Sequence, residues 1–326
     1  MNEARELWFT RPRQVEVRGA PVPVLRPGQL LVRGVASGVS QGTELLLYRG
    51  EGPTPFDPSV DTLGGYPCRY GYAWVGVVES ADPAAPQLEP GRLVFALAPH
   101  GTHHALDVSR VRALDADIPP ERAVLAANLE TALNCVWDAE VGLGDGVVVL
   151  GAGVVGLLTT WLLVRSGCAV RVVEPVSTRR DLAVALGAVA VPPEEDRPTG
   201  EADVVVEATG QPAALDRAIA HARDEATIVV ASFYGTRCAP LELGTEFHRR
   251  RLVLRSSQVS RVPAHRARRW SLDRRFALVQ RLLREPVLDR FLTQVVHFDA
   301  APGVYASLDR APGGAIQTVF TYGPTR

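Results

Sequence analysis

The chain has 326 residues, 46% of them hydrophobic and 22% charged, with a formal net charge of -1. At roughly 100 to 200 residues per domain this is enough for two domains with their own cores, which excludes a disordered tail or a small disulfide scaffold; the near-neutral balance argues against a chain built to coat nucleic acid or an acidic membrane. All 35 basic residues are arginine, and the lack of an amine side chain removes Schiff-base catalysis, the phosphate-loop lysine and the kinase strand lysine.

The N-terminal Met-Asn-Glu-Ala-Arg-Glu lacks the apolar core of a signal peptide and reads as the start of a mature cytoplasmic protein. Residues 1–126 alternate short β-rich runs with Pro and Gly: Pro27-Gly28 precede Gln29-Leu30-Leu31-Val32-Arg33, and Val75-Gly76-Val77-Val78-Glu79 precede Asp82-Pro83. This predicts a mostly antiparallel β domain. Over 127–262 the pattern changes to strand 147–150, helix 154–165, strand 169–174 and helix 178–186, the signature of a parallel, doubly wound sheet. Further strands are read at 203–207, 227–231 and 252–255 in a sheet expected to have six, with a helix over 212–222 started by Pro212. Pro192, Pro193 and Pro198 stand between the third and fourth strands, so that crossover is read as a loop. In the tail, 263–326, residues 272–283 have helical apolar spacing and 315–322 strand character. The tail is expected to return to the N-terminal domain and make it discontinuous.

Residues 146–164 carry no charge for 19 positions, nominally the length of a membrane span. Gly151 to Gly156 interrupt the run, and a buried strand-turn-helix explains it better. The four cysteines, at 68, 135, 168 and 238, show no Cys-x-x-Cys spacing. They suggest reduced thiols rather than a disulfide framework or a zinc lobe.

The strongest motif is Gly151-Ala152-Gly153-Val154-Val155-Gly156, directly after a strand and opening a helix. Glycines there permit a tight turn and let a pyrophosphate approach the backbone N–H groups of the helix N-terminus. Glu174 ends the next strand, 23 residues after Gly151, where a carboxylate accepts hydrogen bonds from an adenosine ribose. That carboxylate disfavours a 2′-phosphate and points to NAD, whereas Arg179 and Arg180 weaken the choice and leave NADP open.

The whole chain resembles the medium-chain dehydrogenase/reductase superfamily. The resemblance is carried by Gly38-Val39-Ser40-Gln41-Gly42-Thr43-Glu44, Tyr70-Gly71-Tyr72-Ala73-Trp74-Val75-Gly76, Glu207-Ala208-Thr209-Gly210 and Arg255-Ser256-Ser257-Gln258. The Ser-x-Gly-Thr-Glu and Arg-Ser-Ser-Gln patterns look like the subgroup of 2-desacetyl-2-hydroxyethyl bacteriochlorophyllide a dehydrogenase. The resemblance implies an α/β chain: a doubly wound, parallel, six-stranded Rossmann sheet plus a discontinuous, mostly antiparallel β catalytic domain of GroES-like type. It implies a homodimer joined through the edge of the cofactor sheet.

Zinc members of the superfamily hold their metal with Cys, a Gly-His-Glu motif and a third Cys or Glu. Those positions here read Ser40, Gly71-Tyr72-Ala73 and Ala127, none a good zinc ligand. A zinc-independent member is expected. Thr43 matches the Ser/Thr that relays the alcohol proton in zinc relatives, and Tyr72 replaces the ligand His, so both are candidate catalytic residues. Tyr72 is equally well read as a core aromatic with a satisfied hydroxyl. Ser40 and Glu44 are second-tier candidates, Glu44 as a possible loop stabiliser. The resemblance puts Thr131 by the nicotinamide, with Ala208, Thr209, Gly210, Phe233, Tyr234 and Ser256 along the cofactor. Gln317 stands where the superfamily often has an arginine for the pyrophosphate.

His100-Gly101-Thr102-His103-His104 reads as polar surface more readily than as a metal site, with His100 also a candidate to line the substrate cleft. Residues 249–275 hold ten arginines against Asp273 alone. They fit a solvated face or recognition of an anionic substrate group better than nucleic acid, since stacking aromatics are not interleaved. The sequence is therefore read as a zinc-independent NAD(P)-dependent oxidoreductase interconverting a secondary alcohol and a ketone on a bulky metabolite, with a small-molecule substrate and neither nucleic acid nor membrane as partner. Two alternatives stand: an NAD(P)H-dependent reductase of an activated C=C bond, and a non-catalytic dinucleotide-binding regulator.

Overall fold

The computed structural model describes residues 3–52, 65–81, 88–311 and 313–323, so the turn read at Asp82-Pro83 lies outside the described residues. Contacts divide the chain into two units, residues 1–127 with 280–326, and residues 128–279.

The first unit is antiparallel β in its N-terminal part. A hairpin of β1 (Glu3–Arg11) and β2 (Gln14–Pro21) buries Leu7, Phe9 and Val15, the alternation of a half-buried ribbon. β3 (Gln29–Val39) leads into α1 (Gln41–Arg49), which ends on Gly50 at φ 77°, a left-handed stop that glycine adopts without strain. β4 (Trp74–Ala81), β5 (Leu93–Ala96), β6 (His103–Asp107), β7 (Val111–Ala113) and the short α2 (Pro120–Ala123) follow.

The second unit contains nearly all of α3 (Ala126–Ala139), then β8 (Gly146–Leu150), α4 (Val154–Arg165), β9 (Ala169–Val173), α5 (Ser177–Ala185), β10 (Val189–Val191), β11 (Ala202–Glu207), α6 (Ala214–His221), β12 (Ala222–Val230), β13 (Val253–Ser256) and most of α7 (Leu272–Leu283). Its six strands are parallel in the order β10-β9-β8-β11-β12-β13, the doubly wound arrangement expected from the alternating pattern. α4 is apolar nearly all round and buried from Gly156 to Leu163, which is why its run resembled a membrane span. No helix among the described residues is long and apolar enough to cross a membrane.

The crossover between β10 and β11 contains no helix. Buried Asp196 holds it, accepting hydrogen bonds from Arg217 Nε at 2.7 Å and His221 Nε2 at 2.9 Å. Burial opposes the Asp196 charge, but its interactions with Arg217 and His221 outweigh it and keep its carboxyl below the ordinary range. Residues 263–279 group with the second unit, not with the N-terminal β domain as their position in the tail suggests. Arg275 reaches Glu130 at 3.0 Å and Asn134 at 2.7 Å on α3, and Trp270 lies 4.9 Å from Trp137.

The tail completes the first unit with β14 (Gln294–His297), α8 (Ala301–Arg310) and β15 (Thr318–Thr321). The sheet order is β14-β15-β3-β4-β5-β7, with β6 also on β3. β15 takes the 36–39 end of one β3 edge and β6 the 29–33 end. α8 buries Ala301, Val304, Tyr305 and Leu308, the spacing of one helical face, in a core with Phe9, Leu46 and Phe320.

Candidate functional site

In the second unit the glycine loop runs from the end of β8 into α4. Gly151 has φ 92°, and a Cβ there would lie 2.9 Å from the Ala208 carbonyl oxygen, so only glycine suits this turn. A Cβ on Gly156 would be driven into the carbonyl oxygen of Gly151, a close helix-to-loop approach that a larger residue would break. Nothing lies within 4 Å of a Cβ built on Gly153. Gly153 is also the N-cap of α4 and gives it no side-chain cap. The first-turn N–H groups, including those of Val154, Val155 and Gly156, therefore donate to no capping side chain, the setting in which a helix N-terminus takes an anion.

Glu174 is only 3% exposed. Its Oε2 accepts from the Ala152 N–H at 2.7 Å and its Oε1 from the Val176 N–H at 2.9 Å. It thus ties the glycine loop to the end of β9, a positioning task that sequence reasoning did not assign. Each ionised oxygen retains acceptor capacity for a ribose hydroxyl. Arg179 Nη1 lies 4.0 Å from Glu174 Oε1, while Arg180 Nη1 donates to the carbonyls of Glu174 and Pro175 at 2.8 and 2.7 Å. Arg180 is therefore folded back onto the carbonyls that follow β9.

Beyond β11, fully buried Glu207 accepts from the Thr209 N–H at 2.7 Å, from the Thr209 hydroxyl and from the Tyr234 hydroxyl. Burial, reinforced by Glu207, pushes the Tyr234 hydroxyl pKa up. The Gly210 N–H donates to Ser232 Oγ at 2.8 Å. Ala208, Thr209, Gly210, Phe233, Tyr234 and Ser256 all lie at or just beyond the carboxyl ends of β11, β12 and β13, the end of the sheet that carries the glycine loop. Phe233 is 46% exposed, and Thr131 is half-buried on α3.

In the first unit, Ser40 is the N-cap of α1, and its hydroxyl is hydrogen-bonded to the Tyr72 hydroxyl. Thr43 is half-buried on the first turn of the same helix. Glu44 is fully buried: its Oε1 accepts from the Ser40 N–H at 2.8 Å, and its Oε2 meets His100 Nε2 at 3.0 Å and accepts from the Tyr305 hydroxyl. His100 Nδ1 continues to Ser37 Oγ at 2.6 Å, and Ser37 to the Tyr322 hydroxyl at 2.6 Å. Burial raises the pKa of both tyrosines, with the Glu44 charge adding to the effect at Tyr305. Glu44 thus ties the start of α1 to His100 and Tyr305. Ser37, Tyr305 and Tyr322 were missed because nothing local in the sequence marks them.

The histidine cluster does not converge. His100 joins Glu44 and Ser37, His103 lies 3.1 Å from Thr102 Oγ1, and His104 Nε2 bonds the Pro99 carbonyl at 2.9 Å. His100 and His104 are buried, correcting their reading as surface. Among the described residues no group of three or more His, Cys, Asp or Glu is placed to hold a metal. Ser40, Tyr72 and Ala127 do not fit a zinc ion's preference for imidazole and thiolate. Gln317 is buried, donating to the Val39 and Thr318 carbonyls at 3.1 and 2.8 Å.

A six-stranded doubly wound sheet with an open glycine loop, joined in one chain to an antiparallel β unit, defines a two-unit α/β chain of dinucleotide-binding type. The chain belongs to the medium-chain dehydrogenase/reductase superfamily: it is 32% identical over 222 residues to 2-desacetyl-2-hydroxyethyl bacteriochlorophyllide A dehydrogenase of Rhodobacter capsulatus, covering 64% of this chain and 67% of that one. It is 29% identical over 216 residues to D-guloside 3-dehydrogenase of Escherichia coli, a match that spans 62% of each protein. An Escherichia coli alcohol dehydrogenase complexed with NADH shares the fold at a TM-score of 0.80 and 17% identity, over 99% of this chain and 100% of that one. No family model matches the chain.

Proposed function

We propose that the chain is an NAD(P)-dependent oxidoreductase that interconverts a secondary alcohol and a ketone on a bulky metabolite without zinc. The observation that carries the reading is the hydrogen-bonded pair of Ser40 and Tyr72, two hydroxyls at the positions where zinc relatives place metal ligands. The names of the curated relatives, both dehydrogenases, support it, as does the open N-terminus of α4, which fits a dinucleotide pyrophosphate. When bound, the nicotinamide supplies hydride acceptance or donation at its C4.

The chain's own residues do the rest. In alcohol oxidation the substrate carbon loses a hydride and its oxygen loses a proton, and a hydroxyl aimed at that oxygen passes the proton on; in reduction the same hydroxyl stabilises the forming alkoxide and returns it. Tyr72 and Thr43 have this role, with Ser40 orienting Tyr72. The buried carboxylate of Glu44 fixes Ser40 through its N–H and so positions the pair. Glu174, already fixed by two N–H groups, favours NAD through its negative charge against a 2′-phosphate. The reading includes a cytoplasmic location and a homodimer.

Thr43→Val and Tyr72→Phe are expected to lower kcat by about 100-fold to 1000-fold, as loss of one such donor does, with NAD affinity by calorimetry and melting temperature nearly unchanged. Parental turnover in both variants would place the proton donor elsewhere.

A further inference from the structure

Ser40 and Tyr72 stand just past the end of a strand pair. The β3–β4 ladder runs as far as Ser37 opposite Trp74, extended by a bond from the Gly38 N–H to the Ala73 carbonyl at 2.8 Å. Beyond it one chain turns into α1 and the other, residues 70–73, is irregular, so strand pairing does not set the distance between the two hydroxyls. His100 reaches both chains. On the Tyr72 side its N–H donates to the Tyr70 carbonyl at 3.2 Å, and its ring lies against Gly71, where a Cβ would be 2.8 Å from the ring's Cδ2 and 2.9 Å from its Nε2. Only glycine, here at φ 123°, fits so close to the imidazole. On the Ser40 side Nε2 meets Glu44 Oε2 at 3.0 Å, and the other oxygen of that carboxylate takes the Ser40 N–H at 2.8 Å.

The ring is held on both nitrogens. An ionised carboxylate only accepts, so Nε2 carries the hydrogen and Nδ1 of the neutral imidazole accepts from Ser37 Oγ at 2.6 Å. Ser37 is held in turn by the Tyr322 hydroxyl at 2.6 Å, which receives the Gly101 N–H at 3.2 Å, and Phe320 meets the imidazole edge-on at 5.2 Å. At 1% exposure His100 lies behind the hydroxyl pair and does not line a cleft, against the expectation from its sequence position. We propose that His100 is a positioning residue for the proton transfer: through Tyr70 and Gly71 on one side and Glu44 on the other, it fixes the spacing of Tyr72 and Ser40. This rests on the dehydrogenase reading above, in which that pair handles the substrate's proton.

Two amide substitutions separate positioning from bulk. His100→Gln places an N–H near the old Nε2 and can still donate to Glu44, whereas His100→Asn keeps a polar group near Nδ1 and falls short of Glu44. Each is measured in two ways: by kcat and KM with the secondary alcohol that the parent oxidises fastest, and by the nuclear magnetic resonance signal of Tyr72 in protein labelled with 13C at tyrosine Cζ, identified by its loss in Tyr72→Phe. His100→Asn should lower kcat by about 10-fold to 100-fold, the scale of a misplacement on the order of 1 Å, with KM unchanged and the Tyr72 signal moved. His100→Gln should retain most of the parental kcat and leave the signal in place. His104→Gln, which removes a buried imidazole bonded to the Pro99 carbonyl, should lower the melting temperature and alter neither readout. Parental kcat or an unmoved Tyr72 signal in His100→Asn overturns the proposal, as does an equal loss of kcat in His100→Gln or in His104→Gln. Should His100→Asn not fold, Ser37→Ala frees Nδ1 and is read by the same two measurements, with the same directions expected and the same contrary results. If the parent oxidises no alcohol, the dehydrogenase reading fails instead, and the Tyr72 signal still decides whether His100 sets the pair.

Discussion

Three glycines of one loop stand in three different surroundings, and substitution should separate them. Gly156→Ala forces a Cβ against the Gly151 carbonyl, a backbone atom that cannot swing away, and should lower stability by about 1–3 kcal/mol, as overpacking does. Gly153→Ala meets nothing within 4 Å and should melt like the parent, yet weaken NAD binding, because its methyl occupies the space the pyrophosphate needs. Thermal denaturation and calorimetry on both variants check this; loss of stability in Gly153→Ala with NAD affinity intact would contradict it. This loop was legible in the sequence because its constraint is local: the glycines, the strand before and the helix after lie within one short window. The Glu44 network was not. Its bonds to His100 and Tyr305 join positions 56 and 261 residues apart, and Ser37 lies inside β3 where a small polar residue reads as an interruption. Sequence spacing carries no trace of such closure.

Among the elements, β6 carries a titration of its own. His104 lies opposite Val32 of β3, donates to the Pro99 carbonyl and packs at 4.8 Å against Trp74. Burial pushes its pKa down from 6.5 to about 4. The unfolded chain binds a proton at this residue below its ordinary pKa, and the folded chain does not until its lower one. The stability His104 confers is therefore complete above about pH 6.5 and is lost as pH falls towards 4, amounting to about 3 kcal/mol. Denaturant unfolding of the parent and His104→Gln between pH 4 and pH 7 should show a shallower decline in the variant; parallel curves would mean that the imidazole is protonated in the fold. The elements with clean signals, α4 and four strands of the parallel sheet, match the sequence reading within a residue or two; β12 begins earlier than the 227–231 read for it, and β10, three residues long, has no range in that reading. The elements that were missed have interrupted patterns. α1 carries Gly42 in its first turn, α8 opens through Pro302-Gly303, and β14 is four residues long. α6 begins at Ala214, not Pro212, because the first two residues of that stretch form a turn.

For the whole molecule, the edge of the parallel sheet bears on association in solution. β13 is its last strand, with Val253 and Leu254 42% and 39% exposed, and an unpaired apolar edge of this kind favours association with a second copy. Light scattering at micromolar concentration should give a dimer mass, reduced to the monomer by Val253→Lys; a monomeric parent would contradict the pairing. The central proposal is that hydroxyls of this chain handle the substrate's proton where zinc members of the superfamily use the metal. The most direct test is turnover of the metal-stripped protein with NAD and a panel of secondary alcohols, followed by nicotinamide absorbance with and without added zinc. The account predicts NADH formation with at least one alcohol in the presence of a chelator, at a rate that zinc does not raise. Turnover that disappears with the chelator and returns on adding zinc would contradict it.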